Sequence, residues 1–301
     1  GHMNRVVRHA IDCGCDPLIA IQMATINTAC HFGMERELGS IAPGRRADFI
    51  VTSSIDDLPI DAVFARGECV AENGKLLTKC PHYEWPQAVR ETVNLGKELE
   101  HRDFVISAPA GLSLVKAKVI GVIENQAPTK ALEFDLPVEQ GEVRVEGDVC
   151  YLSLVERHRG TGAVVNGFVS GFGYTGSMAI ASSVAHDSHH MIVVGTNQEM
   201  MAAAANRLGE IGGGVSVWKD GSEVALVELP IAGLMSDSKA SEVAVKAQAI
   251  VTAMIDCGCT LNNAYMQHTL LALVVIPELR ISDLGLVDVN RFELTEIIKD
   301  T

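Results

Sequence analysis

Ser182-Ser183-Val184-Ala185-His186-Asp187-Ser188-His189-His190 is the densest polar cluster in the chain, and it lies between two apolar, strand-like runs. Histidine exchanges a proton near neutral pH, and a neighbouring carboxylate can orient its ring. Three chemistries fit these residue types. The imidazoles and Asp187 could ligate a metal, Asp187 could orient a general acid or base, or the loop could hold shape by hydrogen bonding alone. If the stretch is extended, Asp187 and His189 share one face and His186, Ser188 and His190 share the other.

Other motifs carry less. Gly171-Phe-Gly-Tyr-Thr-Gly176 has the spacing of a dinucleotide loop but lacks a clear strand–loop–helix unit, so it reads as a flexible loop. Gly212-Gly213-Gly214 follows a helical stretch and reads as its cap. Cys13-Gly-Cys15 and Cys257-Gly-Cys259 each follow Ile-Asp and read as two similar helix ends, because structural zinc usually takes two to four residues between cysteines.

Rigid elements must position the histidine cluster. Residues 4–13 read as a helix. Asp16-Pro17 opens a second, with Leu18, Ile21, Ala24 and Thr25 on one face and Gly33 ending it. Between residues 38 and 78 the period changes to short strands joined by tight turns, Asn73-Gly74 being a hairpin signal. Residues 81–101, with Pro81 and Pro86, are expected to be an interdomain connector with a helix. Beyond them, strand-like runs are expected at 113–123, 149–154, 162–169, 178–185, 191–194, 215–218 and 224–229. Thr196-Asn-Gln-Glu199 reads as a capping box opening a helix through Leu208, and Ser238–Met254 reads as a second helix. Leu270–Pro277 is too short to span a bilayer and reads as buried core. The fold class is α+β.

The formal net charge of -14, without a Lys/Arg cluster, argues against nucleic acid and membrane as partners. No signal peptide precedes the eight cysteines, so reduced thiols and a cytoplasmic setting are expected. A chain that opens on an amphipathic helix with no strand before it is expected to lack whatever that helix packs on.

Several stretches resemble the adenine deaminase family, a branch of the amidohydrolases. They include Asp16-Pro-Leu-Ile-Ala-Ile-Gln-Met-Ala-Thr-Ile-Asn, Leu38-Gly-Ser-Ile-Ala-Pro-Gly-Arg-Arg-Ala-Asp-Phe-Ile-Val, Ala181-Ser-Ser-Val-Ala-His-Asp-Ser-His and Leu229-Pro-Ile-Ala-Gly-Leu-Met-Ser. The second gives only the superfamily, whereas the histidine stretch looks particular to adenine deaminases. The resemblance implies residues 1–34 as the last helices of a (β/α)8 barrel, 35–80 as part of a small β-sandwich, and 102–301 as a C-terminal α+β domain. It implies metal-dependent conversion of adenine to hypoxanthine and ammonia, in purine salvage or adenine catabolism. A divalent metal, manganese or iron, would have its ligands in barrel strands that precede residue 1, leaving none here. By resemblance, His186, Asp187 and His189 are the candidate catalytic residues, and Ser182, Ser183 and Ser188 the candidate substrate contacts. The chain alone is expected to be inactive, its partner being the missing barrel half or further copies in a homo-oligomer. Two positions depart from the family pattern: the Gly173–Met178 loop lacks a basic residue, and His190 stands where Asn is expected. The rival expectation is a non-catalytic ligand-binding or oligomerisation module.

Overall fold

Asp16 caps a helix as its position predicts: its carboxylate accepts from the N–H groups of Leu18 and Ile19 at 3.0 and 3.1 Å, with Pro17 in the first turn. The computed structural model describes residues 2–79, 81 and 83–299; Gly1, Cys80, His82, Asp300 and Thr301 lie outside the described residues. The chain separates into two compact units, residues 1–84 and 85–301.

The first unit opens with α1 (Met3–Asp12), α2 (Pro17–Ala24) and α3 (Ile26–His31). The single helical face expected from Leu18 to Thr25 is divided, because Thr25 leaves helical geometry between α2 and α3. Its hydroxyl donates back to the Ile21 carbonyl at 2.6 Å, a bond that bends helices. Leu18 is exposed, while Ala20 and Ala29 are buried. An antiparallel meander follows: β1 (Phe49–Val51), β2 (Ala62–Ala65), β3 (Glu68–Glu72) and β4 (Lys75–Leu76). Its tight turns place Arg66-Gly67 and Asn73-Gly74 at positive φ, the geometry that the right-handed strand twist favours.

In the second unit a nine-stranded sheet has the order β13-β12-β10-β11-β8-β9-β5-β6-β7. The strands are β5 (Leu114–Val122), β6 (Thr129–Glu139), β7 (Glu142–Val143), β8 (Cys150–Val155), β9 (Val164–Ser170), β10 (Met178–Ser182), β11 (Met191–Gly195), β12 (Gly214–Lys219) and β13 (Ser222–Glu228). Pairing is antiparallel except between β5 and β9. Both faces are covered. Ala179, Ala181, Met191 and Val193 face α4 (Gln198–Ile211), while Ile180, Ile192 and Val194 belong to the cluster under α5 (Ala240–Asp256) and α6 (Ala264–Leu270). The alternation is the period-two consequence of a sheet buried on both sides. A small sheet, β14 (Leu279–Ser282), β15 (Gly285–Asp288) and β16 (Glu293–Thr295), completes the unit.

Four expectations change. Among its described residues the connector at 81–101 has no α-helix, just a 3-10 turn at Gln87–Val89 and the start of another at His101, and its Leu95 and Leu99 are buried in the second unit's core. Thr196 does not cap α4. Its hydroxyl is committed to the Gly176 carbonyl at 2.6 Å, so Asn197 caps instead, accepting from Met200 N–H at 3.0 Å. The strand β6 went unread because Lys130, Glu133, Asp135 and Pro137 mask its pattern. Leu270–Pro277 is largely a turn; Leu271 and Ala272 are buried, but Val275 is exposed. The two Cys-Gly-Cys pairs are matching helix ends. Gly14 and Gly258 both have φ of +97°, and Cys15 and Cys259 donate to Ala10 and Met254 carbonyls at 3.0 Å.

Candidate active-site loop

Strands β10 and β11 pair antiparallel, Ser182 opposite Ile192, so residues 183–190 are the connection of a hairpin set in the middle of the sheet. All ten residues of the two strands are buried, which gives the loop a rigid base. The loop is a turn rather than an extended stretch. His189 N–H donates to the Ala185 carbonyl at 2.7 Å, and His189 takes φ of +52°. The extended-strand grouping of faces is thereby replaced. The rings of His186 and His189 meet edge to face with centroids 5.3 Å apart, whereas His190 turns away to His158, at 4.8 Å.

His186 and His189 are half-buried, and Asp187 and Ser188 are exposed. Ser182 and Ser183 are closed off from solvent. The Ser183 hydroxyl donates to the Gly233 carbonyl at 2.6 Å and accepts from Gly214 N–H at 2.7 Å. Ser182 Oγ lies 3.1 Å from Val184 N and 3.3 Å from the Tyr265 hydroxyl. Behind the loop, the Thr269 carbonyl at the end of α6 accepts from His186 N–H at 2.9 Å. Burial lowers the pKa of His189, and the His186 and Arg157 charges lower it further, while Asp187 opposes them. A half-buried imidazole that stays neutral beside an exposed carboxylate can accept a proton.

Sequence reasoning missed the residues that hold this loop. Arg157, at the end of β8, is 1 % exposed, and its guanidinium donates to the carbonyls of His189 at 2.5 Å and Ala232 at 3.2 Å. Its neighbour His158 donates from Nε2 to the Ser188 carbonyl at 2.9 Å. The only local signal was the charged run Glu156-Arg157-His158-Arg159 directly after an apolar strand. The Glu156 carboxylate curls back onto the N–H groups of His158, Arg159 and Thr161, which hold its pKa at about 2, although desolvation pulls the other way. A cleft of about 380 Å³ lies beside this turn, with His158, Arg159, His190 and Asp283 on its walls. His190 Nε2 stands 3.8 Å from Asp283 Oδ2 across it.

Of the two glycine motifs, one departs from its reading and the other keeps it. The Gly171–Gly176 stretch is pinned rather than flexible. The N–H groups of Gly171 and Gly173 both donate to the Asp148 carboxylate at 2.6 Å, so the chain's own anion fills the nest that a phosphate would need. Gly212 caps α4 with φ of +79°, and a Cβ on Gly213 would lie 2.9 Å from Ser183 Oγ.

Among the described residues, no group of three or more His, Cys, Asp or Glu is arranged to hold a metal ion. His186, Asp187 and His189 do not converge as a ligand set, so the residues present do not fit a metal centre. Among the described residues, no helix is long and apolar enough to cross a membrane.

Residues 126–293 match the family described as adenine deaminase C-terminal domain, and residues 1–70 match the amidohydrolase family. Curated relatives include an adenine deaminase of Ruegeria pomeroyi, 70% identical over 99% of this chain and 50% of the relative. Another from Roseobacter denitrificans is 69% identical with the same coverage, and one from Moorella thermoacetica is 44% identical with the same coverage. The chain thus spans about half the length of the curated relatives it matches.

Proposed function

Because this chain belongs to the adenine deaminase C-terminal domain family, we propose that it is the C-terminal portion of an adenine deaminase whose histidine loop serves hydrolysis of adenine to hypoxanthine and ammonia. In that reaction water adds to C6, a C–O bond forms, the C6–N bond breaks, and a proton passes from the water to the departing amino group. His189 takes and returns that proton, Asp187 draws the His189 pKa back up against burial, and His186 holds the edge-to-face ring contact. Ser188 is the serine free to meet substrate; Ser182 and Ser183 act by fixing the loop. The observation that carries this reading is a turn of two half-buried histidines around an exposed Asp187, clamped onto a sheet buried on both faces.

The amidohydrolase family implies a divalent metal. Manganese or iron is the proposed identity, with ligands in a barrel outside this chain, and no step here is routed through it. Residues 1–34 are read as the end of that barrel, and 35–80 as one layer of a sandwich. Support comes from the first helices, where Val6, Leu18, Ile19 and Met23 are each more than half exposed. Such a row of apolar side chains wants a partner surface. The partner proposed is the upstream half of the enzyme, followed by self-association.

The test is complementation. This chain alone, given adenine and manganese, should release no ammonia. Adding the upstream half as a separate polypeptide should restore activity, and His186→Ala or His189→Ala should remove it by about 10²–10⁴-fold, the usual reach of a general acid–base group. Restored activity that survives substitution of His186, Asp187 and His189 would leave the loop with a structural role only.

A further inference from the structure

Arg157 is a fully buried cation without a carboxylate partner among the described residues. All its hydrogen bonds go to backbone carbonyls: Nε to His189 at 2.5 Å, Nη2 to Ser183 at 3.4 Å and Ala232 at 3.2 Å, and Nη1 to Thr92 at 3.4 Å. Ser183 and His189 bracket the histidine loop. Thr92 and Ala232 belong to two other segments, themselves joined where Ala232 N–H donates to the Val89 carbonyl at 2.6 Å. Space for the guanidinium depends on Gly233, where a Cβ would lie 2.7 Å from Nη1.

The loop's other main-chain bonds each hold one part of it: His158 Nε2 donates to the Ser188 carbonyl at 2.9 Å near the exit. His189 to Ala185 closes the turn on itself, and His186 to Thr269 anchors its entry. Past the last strand pair, Ser182 opposite Ile192, the planar fork is the side chain among the described residues that bonds both the entry carbonyl of Ser183 and the exit carbonyl of His189, and a lysine, with one rotatable ammonium, cannot reach carbonyls on opposite sides at once. From this geometry we infer that Arg157 is a positioning residue, whose fork holds the two ends of the 183–189 loop so that the rings of His186 and His189 keep one mutual orientation. The catalytic part of the inference rests on the role proposed above for the loop; the positioning part does not.

Two readouts separate these parts. In the first, histidine side-chain NMR follows pH in this chain and in Arg157→Lys. The His186 and His189 signals should move, and the His189 midpoint should change, while buried His268, hydrogen-bonded to Tyr174 at 2.8 Å, keeps its own signals as a reporter of an intact fold. If Arg157→Lys loses the His268 signals as well, Gly233→Ala carries the test, since it crowds the fork from outside and leaves the cation in place. Parent-like His186 and His189 spectra in a folded variant overturn the inference. In the second readout, with the upstream half supplied, Arg157→Lys should lower kcat by about 10²-fold with KM little changed, the size expected for a misplacement near 1 Å. A parent-like kcat and pH profile there would overturn the catalytic part. Failure of complementation itself would remove the proposed reaction while leaving the NMR result to decide the positioning.

Discussion

At the residue scale, charge and burial act on the histidines in opposite directions. Burial holds His189 below the ordinary histidine value, and Asp187 is the group that pulls it back up. Asp187→Asn should therefore lower the His189 midpoint, read from imidazole shifts against pH; a rise would show that the carboxylate does not face the ring. His268 gives a second case. Burial takes it down to about 3 from an ordinary 6.5. The unfolded chain then binds a proton that the folded chain refuses, so its stabilisation is complete above pH 6.5 and lost as pH falls towards 3. The loss approaches about 1.4 kcal/mol per pH unit within that window. Urea midpoints should fall more steeply with acid in the parent than in His268→Gln, and equal slopes would contradict a neutral buried imidazole. The histidine cluster was legible in the sequence because it is contiguous. Arg157 was not, because its four acceptors come from Thr92, Ser183, His189 and Ala232, which only the fold brings together.

Element boundaries turn on which side chain satisfies a helix end. The spacing Thr196…Glu199 suggested a capping box, yet the Thr196 hydroxyl tethers the strand entry at Gly176 and Asn197 takes the cap. Asn197→Ala should lower stability by about 1 kcal/mol, the ordinary value of such a cap, measured as a shift in urea midpoint. Glu199→Ala should change it by much less; the reverse ranking would restore the capping box. Strands β8 to β12 were readable because sheet burial on both faces demands apolar runs. Strand β6 was hidden because it lies near the sheet margin, where Lys130, Glu133 and Asp135 are exposed. The meander turns at Arg66-Gly67 and Asn73-Gly74 were readable for the opposite reason, since positive φ narrows the choice of residues.

For the molecule as a whole, the question is where an independent unit begins. Composition placed the second domain from residue 102, with a helix before it. The observed division falls at 84/85, because residues 85–101 supply Leu95 and Leu99 to the core, and the main chain of Leu99 exchanges two 2.9 Å hydrogen bonds with the Asn206 side chain. A fragment 85–301 should show a cooperative melt and retain the His268 signals. A fragment 102–301 should be weaker by several kcal/mol, since burying one leucine is worth about 2 kcal/mol and two are removed. Equal stability of the two fragments would place the boundary back at 102. Proline and charge marked the junction, but the sequence could not show on which side it packs, because that depends on partners a hundred residues away.

An anchor that grips only main-chain oxygens is blind to what side chains the gripped segment carries. Substitutions at positions 186 to 188 leave the Arg157 acceptors chemically unchanged, so the tip of this hairpin can be rewritten without redesigning its foundation. Evolution or an engineer could thus vary the reactive groups as an interchangeable cartridge, provided that Gly233 stays bare and the arginine stays an arginine.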